Sequence, residues 1–258
     1  MPANSQPNLL ITGCSGFIGK ALAQAAATQG LLVVGSSRQP APAGHTGFPW
    51  QQMPAFGHPD WQDFLQGFDA LVHCAARVHL VKDDSQHPLT EFRKANVEGT
   101  RQLATMAHNA GIKRFVFLST IKVNGEQTRP GQPFLLSHKP CPADPYSQSK
   151  WEAEQALLES CAQRGEGHTM QPIIVRPPLV MGAGAKGNLA LFKRLAQFRV
   201  PVPFGHFRNR RSVICLQHLV EFLLHCLRTD CPPSITFVAD PKTLTTAGIY
   251  AKVCQQAL

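Results

Sequence analysis

The stretch NLLITGCSGFIGKALAQAAATQGLLVVGSSR, residues 8–38, sets three glycines (Gly13, Gly16 and Gly19) between a short apolar run and an amphipathic one. Leu9 to Thr12 reads as a strand. Ile18, Leu22 and Ala26 fall on one face of a helix that Gly30 closes, and Leu31 to Gly35 resumes a strand. In such a strand–turn–helix the first glycine makes the tight turn, the second lets the backbone approach a pyrophosphate, and the third lets the helix pack closely on the sheet. The free N–H groups of the helix then face the phosphates. A glycine triplet alone says little; bounded by two strands and a helix, it places a dinucleotide site at the start of the chain.

Outward from this unit, residues 69–76 (DALVHCAA), 115–120 (FVFLST) and 169–178 (TMQPIIVRPP) are the continuous apolar runs of buried parallel strands, the last stopped by a proline pair that cannot continue a central strand. Residues 38–60, dense in Pro, Gly and aromatics, read as a long connection with one short strand near Gln51 to Met53. Helical periods cover Trp61 to Gly67, residues 88–110 up to Gly111, and 149–165. The alternation predicts an α/β protein with a doubly wound parallel sheet covered on both faces. Beyond Pro178 the pattern changes to a flexible loop (180–188), a helix (188–198), an extended polar and proline-containing segment (200–212), a helix (216–228), a strand (234–240) and a last helix from Thr246 to Ala257. Two units are therefore expected: a dinucleotide-binding domain over 1–176, completed by 213–240, and a small substrate lobe from 177–212 and 241–258.

The 258 residues suffice for a full core. A formal charge of +9, from 25 Lys and Arg against 16 Asp and Glu, suits an anionic ligand such as a nucleotide and equally a solvated basic surface. The longest basic cluster, RNRR (208–211), is short and has no interleaved aromatics, so nucleic-acid binding is not expected. Eight cysteines without a CxxC pair indicate neither a zinc site nor a redox dithiol, and reduced thiols are expected. With no basic-then-apolar N-terminal segment and no run of transmembrane length, a cytoplasmic protein is expected.

Tyr146 and Lys150, in YSQSK, are spaced i,i+4 just inside a helix start, which puts both side chains on one face. An ammonium beside a phenol favours phenolate and lowers the tyrosine pKa, which suits proton exchange with a substrate oxygen; an exposed Tyr with a surface Lys is the structural alternative. With the dinucleotide unit upstream the chemical reading leads, because hydride transfer to or from an alcohol carbon needs a proton partner at its oxygen. Ser119 and Thr120 stand at the carboxyl end of a parallel strand, where ligands bind such sheets, and Thr120 could hold that oxygen; Ser119 could equally cap a turn. At the end of the second strand Ser36, Ser37 and Arg38 replace the carboxylate that would grip the adenosine ribose, which favours NADP over NAD.

These residues, with GCSGFIG (13–19), HCAARVH (73–79), NVEGT (96–100), FLSTIKVNGE (117–126), RPPLVMGAGAKGN (176–188) and NRRSVICLQHLVEFLL (209–224), resemble the extended short-chain dehydrogenase/reductases. The likeness is to their NAD-dependent epimerase/dehydratase group, which acts on nucleotide sugars on a Rossmann fold, and it covers nearly the whole chain. The resemblance implies that Tyr146 is the catalytic acid/base, that Lys150 tunes it and binds the nicotinamide ribose, and that Thr120 assists at the reacting oxygen. It implies backbone donors to the pyrophosphate at Phe17 and Ile18, a groove wall at Ala75, Ala76 and Arg77, and a supporting buried amide at Asn96. Asn188 and Arg211 match positions that contact the phosphates of the sugar nucleotide, and Lys122 is placed to face the substrate. A homodimer through helices 88–110 and 149–165 is implied as well.

Three departures accompany the match. MPAFGHPD (53–60) replaces the usual Gly-Asp-Leu or Asp-Leu pairing that reads adenine, Gln217 and His218 stand where a Val-Asp or Asp-Leu neighbourhood is common, and the stretch after residue 237 is shorter than in many relatives, which implies a truncated substrate lobe. The expected activity is hydride transfer at C4 of a nucleoside-diphosphate sugar, as a 4-ketoreductase or a 4-epimerase. A dehydratase is disfavoured because Ile121 and Lys122 occupy the places of an Asp-Glu pair. The alternatives are reduction of a small non-sugar carbonyl compound and a catalytically silent nucleotide-binding protein.

Overall fold

The computed structural model describes residues 7–55, 58–78, 87–162, 170–185, 188–198, 209–227, 231–232 and 234–257. In chain order the elements are β1 (Leu9–Thr12), α1 (Phe17–Thr28), β2 (Val33–Ser37), β3 (Trp50–Gln52), α2 (Trp61–Leu65), β4 (Ala70–His73), α3 (Pro88–Phe92), α4 (Gly99–Asn109), β5 (Arg114–Leu118) and α5 (Pro145–Ala162). After them come β6 (Gln171–Arg176), β7 (Leu179–Met181), α6 (Asn188–Gln197), β8 (Arg210–Arg211), β9 (Val213–Cys215), α7 (Leu216–His225), β10 (Ser234–Phe237), β11 (Leu244–Thr245) and α8 (Thr246–Ala257).

Seven strands form one sheet in the order β10-β6-β5-β4-β1-β2-β3, all neighbours parallel. The chain runs outward from β1 through β2 to β3, then returns to the other side of β1 as β4, so the strand order reverses at the β1/β4 crevice. The unbroken apolar strands are explained by two buried faces. Leu9, Ile11, Val72, Val116 and Val175 join one core with Leu22 and Ala26 of α1 and Leu219 and Leu223 of α7. Leu10, Leu71, Phe115, Phe117 and Ile174, one residue out of phase, join the other core with Phe64 of α2, Leu103 and Ala107 of α4, and Ala153 and Leu157 of α5. A third, smaller cluster gathers Met181, Leu189, Val213, Ile249 and Val253.

Several boundaries differ from the sequence reading, each for a local reason. β2 begins at Val33 instead of Leu31 because Gly30, at φ +78°, ends α1 with the Gly30 and Leu31 N–H groups bonded back to Ala27 and Ala26. α5 starts at Pro145 instead of 149, since the Asp144 carboxylate accepts from the Ser147 N–H at 2.6 Å while the Asp144 N–H donates to Ser147 Oγ at 3.1 Å. The helix expected over 88–110 is broken by a π turn at Arg93–Glu98. The start of the loop expected over 180–188 is instead β7, whose apolar residues pair with β9. β10 stops at Phe237, and the Asp240 carboxylate turns to the Cys215 N–H and His218. Residues 163–165, 169, 186–187, 200–208 and 228, which carry parts of the expected helices, of the strand over 169–178, of the loop and of the extended segment, lie outside the described residues. Among the described residues no helix is long and apolar enough to cross a membrane.

Candidate active site

The glycine turn closes the crevice where β1 and β4 diverge. Gly13 has φ +80°, and a Cβ there would lie 2.6 Å from the Ala75 backbone nitrogen. A Cβ on Gly19 would lie 2.5 Å from the Gly13 carbonyl oxygen, so this glycine is demanded by the turn itself more than by packing of the helix on the sheet. Gly16 is the least crowded of the three, its would-be Cβ meeting the Gly13 oxygen at a tight 3.1 Å. Gly16 offers α1 no side-chain cap, and the first turn holds no acidic residue. The half-buried Phe17 and Ile18 thus present first-turn N–H groups of the kind that bind phosphate oxygens. Backbone cradle, bare helix end and switch-point position fit a dinucleotide pyrophosphate.

Ala75, Ala76 and Arg77 follow β4 along this crevice, half-buried. Asn96 sits in the π turn and holds Arg77 at both backbone groups: its Oδ1 accepts from the N–H at 2.8 Å and its Nδ2 donates to the carbonyl at 3.1 Å. The same Nδ2 donates to Ser149 Oγ at 3.0 Å, and Ser149 Oγ donates to the Tyr146 carbonyl at 2.7 Å. The amide therefore ties the groove wall to α5. At the end of β2, Ser36 is fully buried with no hydrogen-bond partner for its hydroxyl, Ser37 spends its hydroxyl on the Gln39 carbonyl at 2.8 Å, and Arg38 is exposed.

α5 carries Tyr146 and Lys150 and brings Lys150 to the carboxyl end of β5. Lys150 is 1% exposed, and its ammonium stands 3.8 Å from the centre of the Phe117 ring. Burial pushes its pKa down to about 7 against the opposing charge of Glu154. Tyr146 lies half-buried, edge-on to Phe92, and burial together with the Asp144 charge raises its phenol to about 12. The lowering expected from Lys150 is absent: the ammonium is directed onto Phe117, and the charge that acts on the phenol is the Asp144 carboxylate. Thr120, part-exposed, opens the short turn Ile121–Val123 and accepts the Lys122 N–H at 3.4 Å.

Lys122 is expected to face a substrate, yet its ammonium is paired with Asp144 at 2.6 Å. Arg211 is exposed in β8, and Asn188 opens α6 with its side chain outside the described part. Sequence reading missed a buried network beneath the site. Ser119 donates to Glu154, and Arg176 donates to the same carboxylate through Nε at 2.9 Å and Nη2 at 2.5 Å. The available signal was the i,i+4 spacing of Lys150 and Glu154 and the arginine that ends β6. His73, stacked on Phe117 and bonded to Thr12 Oγ1 at 2.7 Å, was also missed; burial keeps it neutral down to about 3.

The model of the NAD dependent epimerase/dehydratase family matches residues 9–237. The chain belongs to this family. As a member of the epimerase/dehydratase family it is 34% identical over 250 residues to a UDP-glucose 4-epimerase of Vibrio cholerae, covering 95% of this chain and 74% of that protein. Among solved structures, its fold is like that of MoeE5 in complex with UDP-glucose and NAD, at TM-score 0.80 and 22% identity over 96% of this chain and 81% of that one. It is also like that of the UDP-glucose 4-epimerase of Thermotoga maritima, at TM-score 0.79 and 20% identity over 97% and 82%. The family member is therefore an enzyme, its chemistry of the nicotinamide-dependent, nucleotide-sugar epimerase/dehydratase type.

Proposed function

We propose that the enzyme transfers a hydride between NADP and C4 of a nucleoside-diphosphate sugar. The single observation that carries this reading is the switch-point crevice whose glycine turn fits a pyrophosphate, with Lys150 of α5 buried against Phe117 near the end of β5 and Thr120 following that strand. When bound, the cofactor supplies or accepts the hydride. Phe17 and Ile18 hold its pyrophosphate, Ala75, Ala76 and Arg77 wall its groove, and Lys150 binds the ribose nearest the reaction. Thr120 orients the sugar oxygen and Tyr146 exchanges its proton, so a ketone that gains hydride and proton becomes an alcohol, and the reverse step returns both. Arg38, exposed at a strand end that carries no carboxylate, supports NADP.

The sugar nucleotide would occupy the side of the small cluster, where a cavity of about 360 Å3 is lined by the glycine-containing loop after β7, Leu189, Lys193 and Val253. That loop abuts Phe17: a Cβ on Gly182 would lie 3.2 Å from its ring. Asn188 and Arg211 are assigned to the diphosphate. The proposal includes the division into a dinucleotide-binding domain (1–176 with 213–240) and a substrate lobe (177–212 with 241–258), and a homodimer through α3, α4 and α5. A second reading, reversible 4-epimerisation with retained NAD, is favoured by the likeness to the Vibrio cholerae enzyme. The test is conversion of UDP-glucose and of its 4-keto form with NAD or NADPH, resolving products by chromatography, in the parent and in Tyr146→Phe. The variant is expected to lose about 100-fold or more with its fold unchanged; undiminished turnover removes Tyr146 from the chemistry.

A further inference from the structure

One helical turn beyond Lys150, α5 buries a second charge that the reaction above does not use. Glu154 is 0% exposed, and an isolated carboxylate at such a place would take up a proton. Here the ionised form is matched by three donors: Ser119 Oγ, Arg176 Nε and Arg176 Nη2. Arg176, 4% exposed, reaches on to Asn124 Oδ1 at 2.9 Å. A single side chain of α5 is thus bonded to the residue before Thr120, to the end of β6 and, through Arg176, to the turn after Thr120.

The groups facing Lys150 come from three elements. β4 supplies His73, neutral through burial, and β5 the uncharged Phe117 ring. Cys74, just after β4, keeps its proton because burial raises its thiol. α5 supplies Glu154, the one anion among them. We propose that Glu154 is a positioning residue of the hydride-transfer site: its carboxylate, one helical turn from Lys150 on α5, serves as the counter-charge of that side chain, and its bond to Ser119 locks the strand end carrying Thr120 to the helix carrying Tyr146 and Lys150. The proposal rests on the roles given above to Tyr146, Thr120 and Lys150.

Three variants separate the charge from the bond. Glu154→Gln keeps the size and removes the charge, Glu154→Asp keeps the charge and shortens the reach to Ser119, and Ser119→Ala removes that bond alone. The titration of Lys150 is read by NMR on protein carrying 13C-lysine, with the resonance assigned by its loss in Lys150→Arg. The midpoint is expected near 7 in the parent and at least one unit lower in Glu154→Gln, which is a tenfold smaller ammonium fraction above neutrality. It is expected unchanged in Glu154→Asp and Ser119→Ala. With UDP-glucose as probe, Glu154→Gln loses about tenfold at pH 8 and recovers toward the parent as pH falls. The other two lose kcat several-fold at every pH with KM unchanged. An unmoved Lys150 midpoint in Glu154→Gln overturns the proposal. If Glu154→Gln does not fold, parental kcat in both Glu154→Asp and Ser119→Ala overturns it. Full turnover by Tyr146→Phe would instead overturn the functional reading and leave the Lys150 titration standing.

Discussion

Replacing the first two glycines of the turn by alanine separates what the fold needs from what the ligand needs. At Gly13 the new methyl must occupy φ +80° and would sit 2.6 Å from the Ala75 nitrogen and 2.8 Å from its Cα, so backbone has to move. The left-handed conformation costs about 1–2 kcal/mol and the forced displacement about 1–3 kcal/mol, together about 2–5 kcal/mol. At Gly16 the backbone is extended, φ −93°, and the nearest atom is a carbonyl oxygen at 3.1 Å, so the fold should lose under about 1 kcal/mol. For a chain of this size each kcal/mol moves Tm by about 2–4 °C. Thermal unfolding without ligand should show a fall of about 4–20 °C for Gly13→Ala and under about 4 °C for Gly16→Ala. Fluorescence titration with NADPH should show the converse sensitivity: Gly16→Ala, whose methyl stands at the bare end of α1, should bind at least about tenfold more weakly while keeping its Tm. Equal Tm losses, or parental NADPH affinity in Gly16→Ala, would refute the division of roles.

Asn96→Ala strips both backbone groups of Arg77 of their partner and should cost about 1–3 kcal/mol in urea unfolding, with weaker NADPH binding; a stable variant with parental binding would show that the groove wall stands without the amide. Arg38→Glu should reduce NADPH affinity about tenfold or more and spare NADH, and an equal loss for both cofactors would make Arg38 a general electrostatic contributor. His73 is neutral in the fold down to about 3 and titrates near 6.5 when unfolded, so between these values the unfolded chain binds the extra proton. Its contribution is complete above pH 6.5 and falls away as pH drops toward 3. His73→Gln, which can keep the bond to Thr12, should flatten the pH slope of the unfolding free energy in that window, and an unaltered slope would contradict the burial argument.

Reading the pKa of Tyr146 from spacing alone failed for a physical reason. An i,i+4 pair shares a helix face, but the neighbours of that face decide where a flexible ammonium goes, and here an aromatic ring of β5 draws Lys150 while Asp144, two residues before the tyrosine, supplies the charge that acts on it. Lys122 illustrates the same limit: its proximity to Thr120 is visible in the chain, its pairing with Asp144 across 22 residues is not. The Ser119–Glu154–Arg176 network joins an end of β5, a helix and an end of β6, and no sequence period connects those three positions.

By itself the sequence determined the parallel α/β order, because uninterrupted apolar strands tolerate only a sheet buried on both faces. It likewise determined the dinucleotide turn, because the spacing of Gly13, Gly16 and Gly19 is local backbone chemistry, and the pairing of Tyr146 with Lys150 on one helix face. Tertiary structure alone decided that Gly13 is pressed against Ala75, that Asn96 binds Arg77 and that Glu154 is clamped by Ser119 and Arg176. Those contacts span 19 to 62 residues of chain, and their energies come from exclusion of water at the places where strands and helices meet, which local propensity does not encode.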